Sequence, residues 1–377
     1  MLLIRNALSK GGIINIEDIN FDQDIPQLKK DAIQVRNMDQ QVAAIWNMYF
    51  ELLFGSFHLS ARITNMRNTV EGTQSLQDLL NKYFPVTTDK LFREYPFSKD
   101  FLLRILVDKP QKHAAEALIA GAGKKDPEKV QKEKVKSIIQ KAFDYTSLSQ
   151  KKGFSELIRR LNVNVCPYCG RMFTTTAAAK GHCIRANQVD HYYPKALFPF
   201  LGLSIWNWIP SCGPCNNRKS DNVDHLFLYP YEEAMGDDYR FYTHVKKEIG
   251  YIVGEKSGKV DFDISLEPTA ACKSDNTKKT MRKHADYQIE KLGLNELYTT
   301  HTDYVNQVFT QRYVFSDAYL DSLISSFPDL FTSRADVRAL LYMKRIEEEN
   351  TGDAPLAKLT RDIDHEIDEL IYGMSEQ

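Results

Sequence analysis

The apolar residues between Val42 and Leu53 fall on nearly every side of the helix that their spacing predicts. Ile45, Trp46, Met48, Tyr49, Phe50, Leu52 and Leu53 leave almost no polar face, which marks a buried helix. Leu76, Leu79 and Leu80 carry helical spacing into Tyr83-Phe84, and Pro85 ends that segment. After a break at Gly121 to Pro127, a Lys-rich helix runs to about Phe143. The pattern then changes. Gln188 to Tyr192 alternates as a strand, Trp206 to Ile209 reads as its returning partner, and a helix starts near Cys212. An aromatic, Pro-containing insert from Pro194 to Ser204 lies between the two strands. Strand-like runs recur at His225 to Tyr231 and Arg240 to Ile264, with a Gly-rich turn at Gly254 to Gly258. From about Thr280 helices dominate. Leu359, Ile363, Ile367 and Leu370-Ile371 keep helical spacing, with carboxylates filling the other face. The expectation is an α+β chain in three parts: a helical region over 1–155, a compact centre over 156–235, and a mixed, then helical region over 236–377.

A length of 377 residues suits two or three domains. With 43% hydrophobic and 26% charged residues, the chain has ample material for a core. No run of eighteen apolar residues predicts a membrane span, and the start is too short an apolar stretch for a secretory signal. Four of the six cysteines form two Cys-x-x-Cys pairs. Cys183 and Cys272 have no paired spacing, which fits a reducing cytoplasm better than a disulfide scaffold. The net charge of −1 argues against a protein that coats nucleic acid indiscriminately, yet charge is unevenly spread. Lys124 to Arg160 holds eleven Lys/Arg against five Asp/Glu, whereas Arg345 to Gln377 holds ten Asp/Glu against three Lys/Arg. The basic stretch either tracks phosphates or is a solvated helix face. The Gly121 break is a turn and not a phosphate-binding loop. Leu118 stands where a glycine is needed, and Lys125 replaces the Ser/Thr that would hold Mg²⁺.

The chemistry concentrates in one stretch. Cys166-Pro-Tyr-Cys169 and Cys212-Gly-Pro-Cys215 can each offer two thiolates, so together they close a four-sulfur tetrahedral site for Zn²⁺. Such a site is structural, because four thiolates leave no open position for water. His182 and Cys183 are weaker candidates for the same metal. Closing the site brings Asn216, next to the last ligand, towards the strand that carries Asp190 and His191.

From Val165 to Val223 the chain resembles the HNH (ββα-metal) nuclease family. The matching residues are Cys166-Pro-Tyr-Cys169-Gly170, Val189-Asp190-His191-Tyr192-Tyr193-Pro194-Lys195, Asn207-Trp208-Ile209-Pro210-Ser211-Cys212 and Cys215-Asn216-Asn217-Arg218-Lys219. The run from Asn216 to Val223 is also similar to the metal-binding end of the HNH domain in RNA-guided CRISPR nucleases. Asp190 and Asn216 stand where the family name has histidines, and both are common variants. The resemblance implies a central zinc-stapled ββα-metal domain flanked by mainly α-helical regions. It further implies that His191 is the general base and that Asp190 and Asn216 ligate Mg²⁺ or Mn²⁺. Asn207 would orient His191, and Lys195, Arg218 and Lys219 would hold phosphates of DNA. A standalone domain of this kind with long helical flanks looks like the nuclease effectors of bacterial anti-phage systems, of Septu or retron-associated type. The flanks would then hold an ATPase or other partner, or self-associate. The competing expectations are a restriction- or homing-type enzyme that reads sequence itself, and a catalytically silent zinc-stapled binding module.

Overall fold

The structure is a computed structural model of the full chain, and it describes residues 40–70, 76–84, 105–106, 110–121, 129–221, 225–245 and 262–373. They form two compact units. The first comprises residues up to 162 together with 175–232, and the second comprises 163–174 together with 233–377. Helices and short antiparallel strands make this an α+β protein. No described helix is long and apolar enough to cross a membrane.

In the first unit, α1 (Gln40–Phe50) runs into a wider π turn (Glu51–Ser56), followed by α2 (Leu59–Val70) and α3 (Leu76–Tyr83). The all-round apolar helix is buried as expected, with Tyr49 and Leu53 fully enclosed. The Tyr49 hydroxyl donates to the carbonyl of Leu203 at 2.8 Å, so even its polar tip is used inside the core. Helices α4 (Lys112–Gly121) and α5 (Lys129–Ala142) follow, the latter being the Lys-rich helix. The break after Gly121, Pro85 and the turn at Gly254 to Gly258 lie outside the described residues. Two short helices, α6 (Tyr145–Ser149) and α7 (Phe154–Arg160), complete the approach to the central segment.

Two antiparallel ribbons follow. β1 (Thr176–Ala179) pairs with β2 (His182–Arg185) through a two-residue turn in which Gly181 adopts φ +75°, a left-handed position suited to glycine. β3 (Gln188–His191) pairs with β4 (Trp208–Ser211), setting Asp190 opposite Ile209 and His191 opposite Trp208. Then comes α8 (Gly213–Lys219), with Cys212 at its N-cap position. The returning strand starts two residues later than its apolar pattern suggested and runs on to Ser211, because Ile205–Asn207 is a 3₁₀ turn. Asn207 therefore precedes the strand instead of lying within it.

The strand-like run His225 to Tyr231 also differs from expectation, being irregular chain. Its apolar side chains are buried, while Tyr229 and Tyr231 donate their hydroxyls to the carbonyls of Trp206 and Trp208, each at 2.7 Å. Docking through aromatic side chains has replaced strand pairing.

The second unit is built on β5 (Tyr239–Val245) and β6 (Phe262–Pro268), an antiparallel ribbon. After α9 (Ala270–Ser274) come α10 (Lys279–Leu292), α11 (Leu294–Thr299) and α12 (Thr302–Val314), then α13 (Asp317–Ser326), α14 (Arg334–Leu341) and α15 (Ala357–Gly373). Leu359, Ile363 and Ile367 bury the expected apolar face of α15. Its carboxylates do not all face solvent, however, because Asp362 and Asp364 are buried too. Asp362 accepts the Phe241 backbone N–H at 3.0 Å, and Glu366 accepts that of Thr243 at 3.2 Å, which covers the open edge of β5. Asp364 pairs with Arg312 and Arg338 at 3.1 and 2.9 Å, so two cations compensate its burial.

Candidate active site and cysteine cluster

The four cysteines come together. The Sγ atoms of Cys166, Cys169, Cys212 and Cys215 all lie within 4.8 Å of one another, and all four residues are buried. Tetrahedral zinc with bonds of ~2.3 Å requires sulfurs about 3.8 Å apart, so this donor set fits Zn²⁺ with little adjustment. Local hydrogen bonds shape the first pair. The Gly170 N–H donates to the Cys166 carbonyl at 2.8 Å, and the Cys166 N–H donates to Met172 at 2.9 Å. Gly170 sits at φ +62°, and a Cβ there would come within 3.2 Å of the Tyr298 hydroxyl. Glycine is thus required at this turn for both conformation and space. That hydroxyl donates to the Cys169 carbonyl at 2.6 Å. Cys183 lies instead on β2, its Sγ 3.8 Å from Glu156, and His182 is exposed beside it. Neither belongs to the cluster.

His191 ends β3 as a buried imidazole. Its Nε2 lies 2.9 Å from the carbonyl oxygen of Gly202. A carbonyl can only accept, so Nε2 carries the proton and Nδ1 keeps the basic lone pair. Burial, reinforced by the positive charges of Lys195 and Lys219 and opposed by the Gly202 hydrogen bond, pushes the imidazole pKa down to about 3. The ring is therefore neutral, the form that can take a proton.

Asn207 is fully buried, and its side-chain hydrogen bonds go to backbone groups of Tyr193 and Leu201. Its Oδ1 accepts the Tyr193 N–H at 2.6 Å, and its Nδ2 donates to the carbonyls of Tyr193 and Leu201, both at 3.1 Å. It ties the chain just after His191 to the residue just before Gly202. The same Gly202 carbonyl also accepts from Trp208 Nε1 at 3.0 Å. Any orienting effect of Asn207 on His191 thus runs through the backbone.

Asp190 and Asn216 are candidate divalent-cation ligands of different exposure. Asp190 is buried, and both its carboxylate oxygens face the Lys219 ammonium, at 3.2 and 3.0 Å. Asn216, half-buried on α8, donates Nδ2 to Gln188 at 2.8 Å, which leaves Oδ1 as its ligand atom. One carboxylate and one amide oxygen suit Mg²⁺, which keeps several of its waters. The resemblance implies that Lys219 holds phosphate. Lys219 is instead 2% exposed and also donates to the His191 carbonyl at 2.9 Å. Lys195 is half-buried, with Nζ 5.5 Å above the ring of Tyr145, and Arg218 is exposed.

Two residues near His191 escaped the sequence reading. The ring of Tyr145 stands perpendicular to the imidazole, centroids 4.4 Å apart. Arg185, at the end of β2, hydrogen-bonds the Tyr145 side chain. Tyr145 lies far upstream of the motif, and Arg185 sits in an Ala-rich ribbon with little strand signal, so neither carried a recognisable pattern.

No curated protein and no solved structure matches the chain. Residues 166–222, a span enclosing the four clustered cysteines, Asp190, His191, Asn207 and Asn216, match the family model for HNH endonuclease.

Proposed function

We propose that this protein is a divalent-metal-dependent endonuclease that hydrolyses DNA phosphodiesters, with His191 as the general base. The observation that carries the reading is the Nε2–H tautomer of His191, fixed by the Gly202 carbonyl in a strand that also bears Asp190, within an HNH-type segment. His191 would take the proton of the attacking water on Nδ1. Asp190 and Asn216 would hold the cation, which when bound stabilises charge on the phosphate and on the leaving 3′ oxygen. Asn207 would keep the loop that presents Gly202 in register with the strand. The four-thiolate cluster would hold Zn²⁺ as a structural ion, restraining the Cys212 turn from which α8 and Asn216 start.

The finer reading is an anti-phage effector in a bacterial cytoplasm. It is supported by the short extent of the nuclease-type segment within a chain whose remainder is mostly helical. In that setting the helical regions bind an ATPase or another defence partner, or self-associate. The decisive experiment incubates purified protein with supercoiled plasmid in Mg²⁺, Mn²⁺ or EDTA. Metal-dependent nicking by wild type, absent in His191→Ala, supports the nuclease. DNA binding without nicking in any metal leaves the zinc-stapled binding module as the function. Sequencing of the cut ends separates a site-specific enzyme from an effector without intrinsic sequence preference.

A further inference from the structure

Lys195 and Lys219 act on His191, and Arg185 meets the tyrosine packed against it. Lys219 is matched by Asp190. Lys195 and Arg185 make no ion pair with a carboxylate among the described residues, and their partners are aromatic. The Arg185 guanidinium carbon lies 5.4 Å from the ring centre of Phe154, and Arg185 donates a hydrogen bond to the Tyr145 hydroxyl. Tyr145 is the hub. Its ring touches His191 at 4.4 Å and Phe154 at 5.6 Å, and Lys195 stands above it at 5.5 Å. Burial pushes the Tyr145 phenol well above its ordinary pKa, an effect only partly offset by Arg185, so it stays neutral. A neutral hydroxyl orients a guanidinium without cancelling its charge. The face of Phe154 and the Tyr145 hydroxyl stiffen a side chain that is otherwise exposed and costly to order. The result is a fork of N–H donors, with no carboxylate partner among the described residues, held on the tyrosine that packs against the proposed base. That fork matches the paired oxygens of a phosphate.

We infer that Arg185 is a phosphate contact of this site, that Tyr145 positions it, and that the ligand is a backbone phosphodiester of the nucleic acid held beside His191. The inference rests on the nuclease reading, and it extends the site beyond the segment matched to HNH endonuclease, since Tyr145 lies on α6. Lys195 supplies a second positive charge across the same ring.

The test measures binding of a labelled duplex oligonucleotide to the full-length protein across a range of salt concentrations, in a His191→Ala background so that the probe survives. Arg185→Gln should weaken binding roughly tenfold and lower the slope of log Kd against log salt by about one, with an unchanged melting temperature. Arg185→Lys should restore the slope but not the full affinity, because it keeps the charge and loses the fork. Tyr145→Phe keeps the ring against Phe154 and removes the oxygen that holds Arg185, so it should weaken binding at unchanged zinc content. A merely structural tyrosine would alter melting and leave the salt slope alone. An unchanged slope and affinity in both Arg185→Gln and Tyr145→Phe overturns the inference, as does failure of the parent to bind the duplex. If Arg185→Gln does not fold, Tyr145→Phe decides alone by the same readout. Plasmid cleavage by the protein with native His191 is scored separately. Cleavage with an unchanged slope removes only this inference, and a normal slope change without cleavage removes only the catalytic reading.

Discussion

The Lys219 ammonium bridges both carboxylate oxygens of Asp190, at 3.2 and 3.0 Å, and donates a third hydrogen bond to the His191 carbonyl at 2.9 Å. Both side chains are buried, so the pair compensates its own desolvation and also pins the backbone at the proposed base. It gives Asp190 a built-in cation where a divalent metal would be held. Lys219→Met should therefore destabilise the protein by roughly 3–5 kcal/mol, because it removes the cation that compensates a buried carboxylate. Added Mg²⁺ or Mn²⁺ should recover more melting temperature in the variant than in wild type. Melting curves with and without metal check this, and equal metal-induced shifts would show that Lys219 and the metal do not share Asp190.

His191→Ala should lower metal-dependent cleavage by ~100- to 10,000-fold, the usual cost of losing a general base. Zinc content should not change, since His191 is not part of the thiolate cluster. Plasmid nicking with elemental analysis on the same preparation checks both halves. Cleavage near the wild-type level would remove His191 from the mechanism.

Asp190→Ala and Asn216→Ala should fail differently, with activity partly recovered at raised Mg²⁺ or Mn²⁺. Water can replace one ligand of a sparse cage, whereas no amount of metal supplies a base. Asn216 is half-buried and donates to Gln188, so its variant should melt close to wild type, whereas Asp190→Ala strands the Lys219 charge and should melt lower. A metal titration of cleavage rate tests the assignment, which fails if neither variant alters the metal dependence.

Gly202→Ala should slow turnover with little change in substrate affinity. A Cβ there would meet the Phe143 carbonyl oxygen at 3.1 Å, and backbone cannot swing aside as a flexible side chain can. The carbonyl that holds both His191 and Trp208 would have to move, at a stability cost of about 1–3 kcal/mol. Steady-state kinetics and a melting curve check the prediction. Unchanged turnover in a destabilised variant would separate His191 from this carbonyl.

Cys169→Ser or Cys212→Ser should lower zinc content and thermal stability together. A site absent from the unfolded chain contributes its metal-binding free energy to folding. Cys272→Ser should leave zinc unchanged, because Cys272 lies on α9 outside the cluster, although its full burial makes some loss of melting temperature the expected result. Full zinc retention in the first two variants would be incompatible with a four-thiolate site.

The sequence by itself determined the elements whose chemistry is local. Two Cys-x-x-Cys turns announce a metal site by spacing alone, and alternation at Gln188 to Tyr192 announces the strand that carries Asp190 and His191. The all-round apolar run Val42 to Leu53 could only be a buried helix. Tertiary structure decided everything that depends on residues distant in sequence. It moved the start of the returning strand from Trp206 to Trp208 and placed Asn207 in a turn, because that side chain satisfies the backbone groups of Tyr193 and Leu201. It turned Lys219 inward, since Asp190 and the His191 carbonyl offered a buried ammonium three partners, a pairing across 28 and 29 positions that no local pattern encodes. It drew Asp362 and Asp364 into the second unit, where backbone N–H groups and arginines compensate their charge. It also set Tyr145 against His191. A side chain's chemistry can be read from the sequence, but its neighbours, and hence its charge state and role, exist only once the chain has folded.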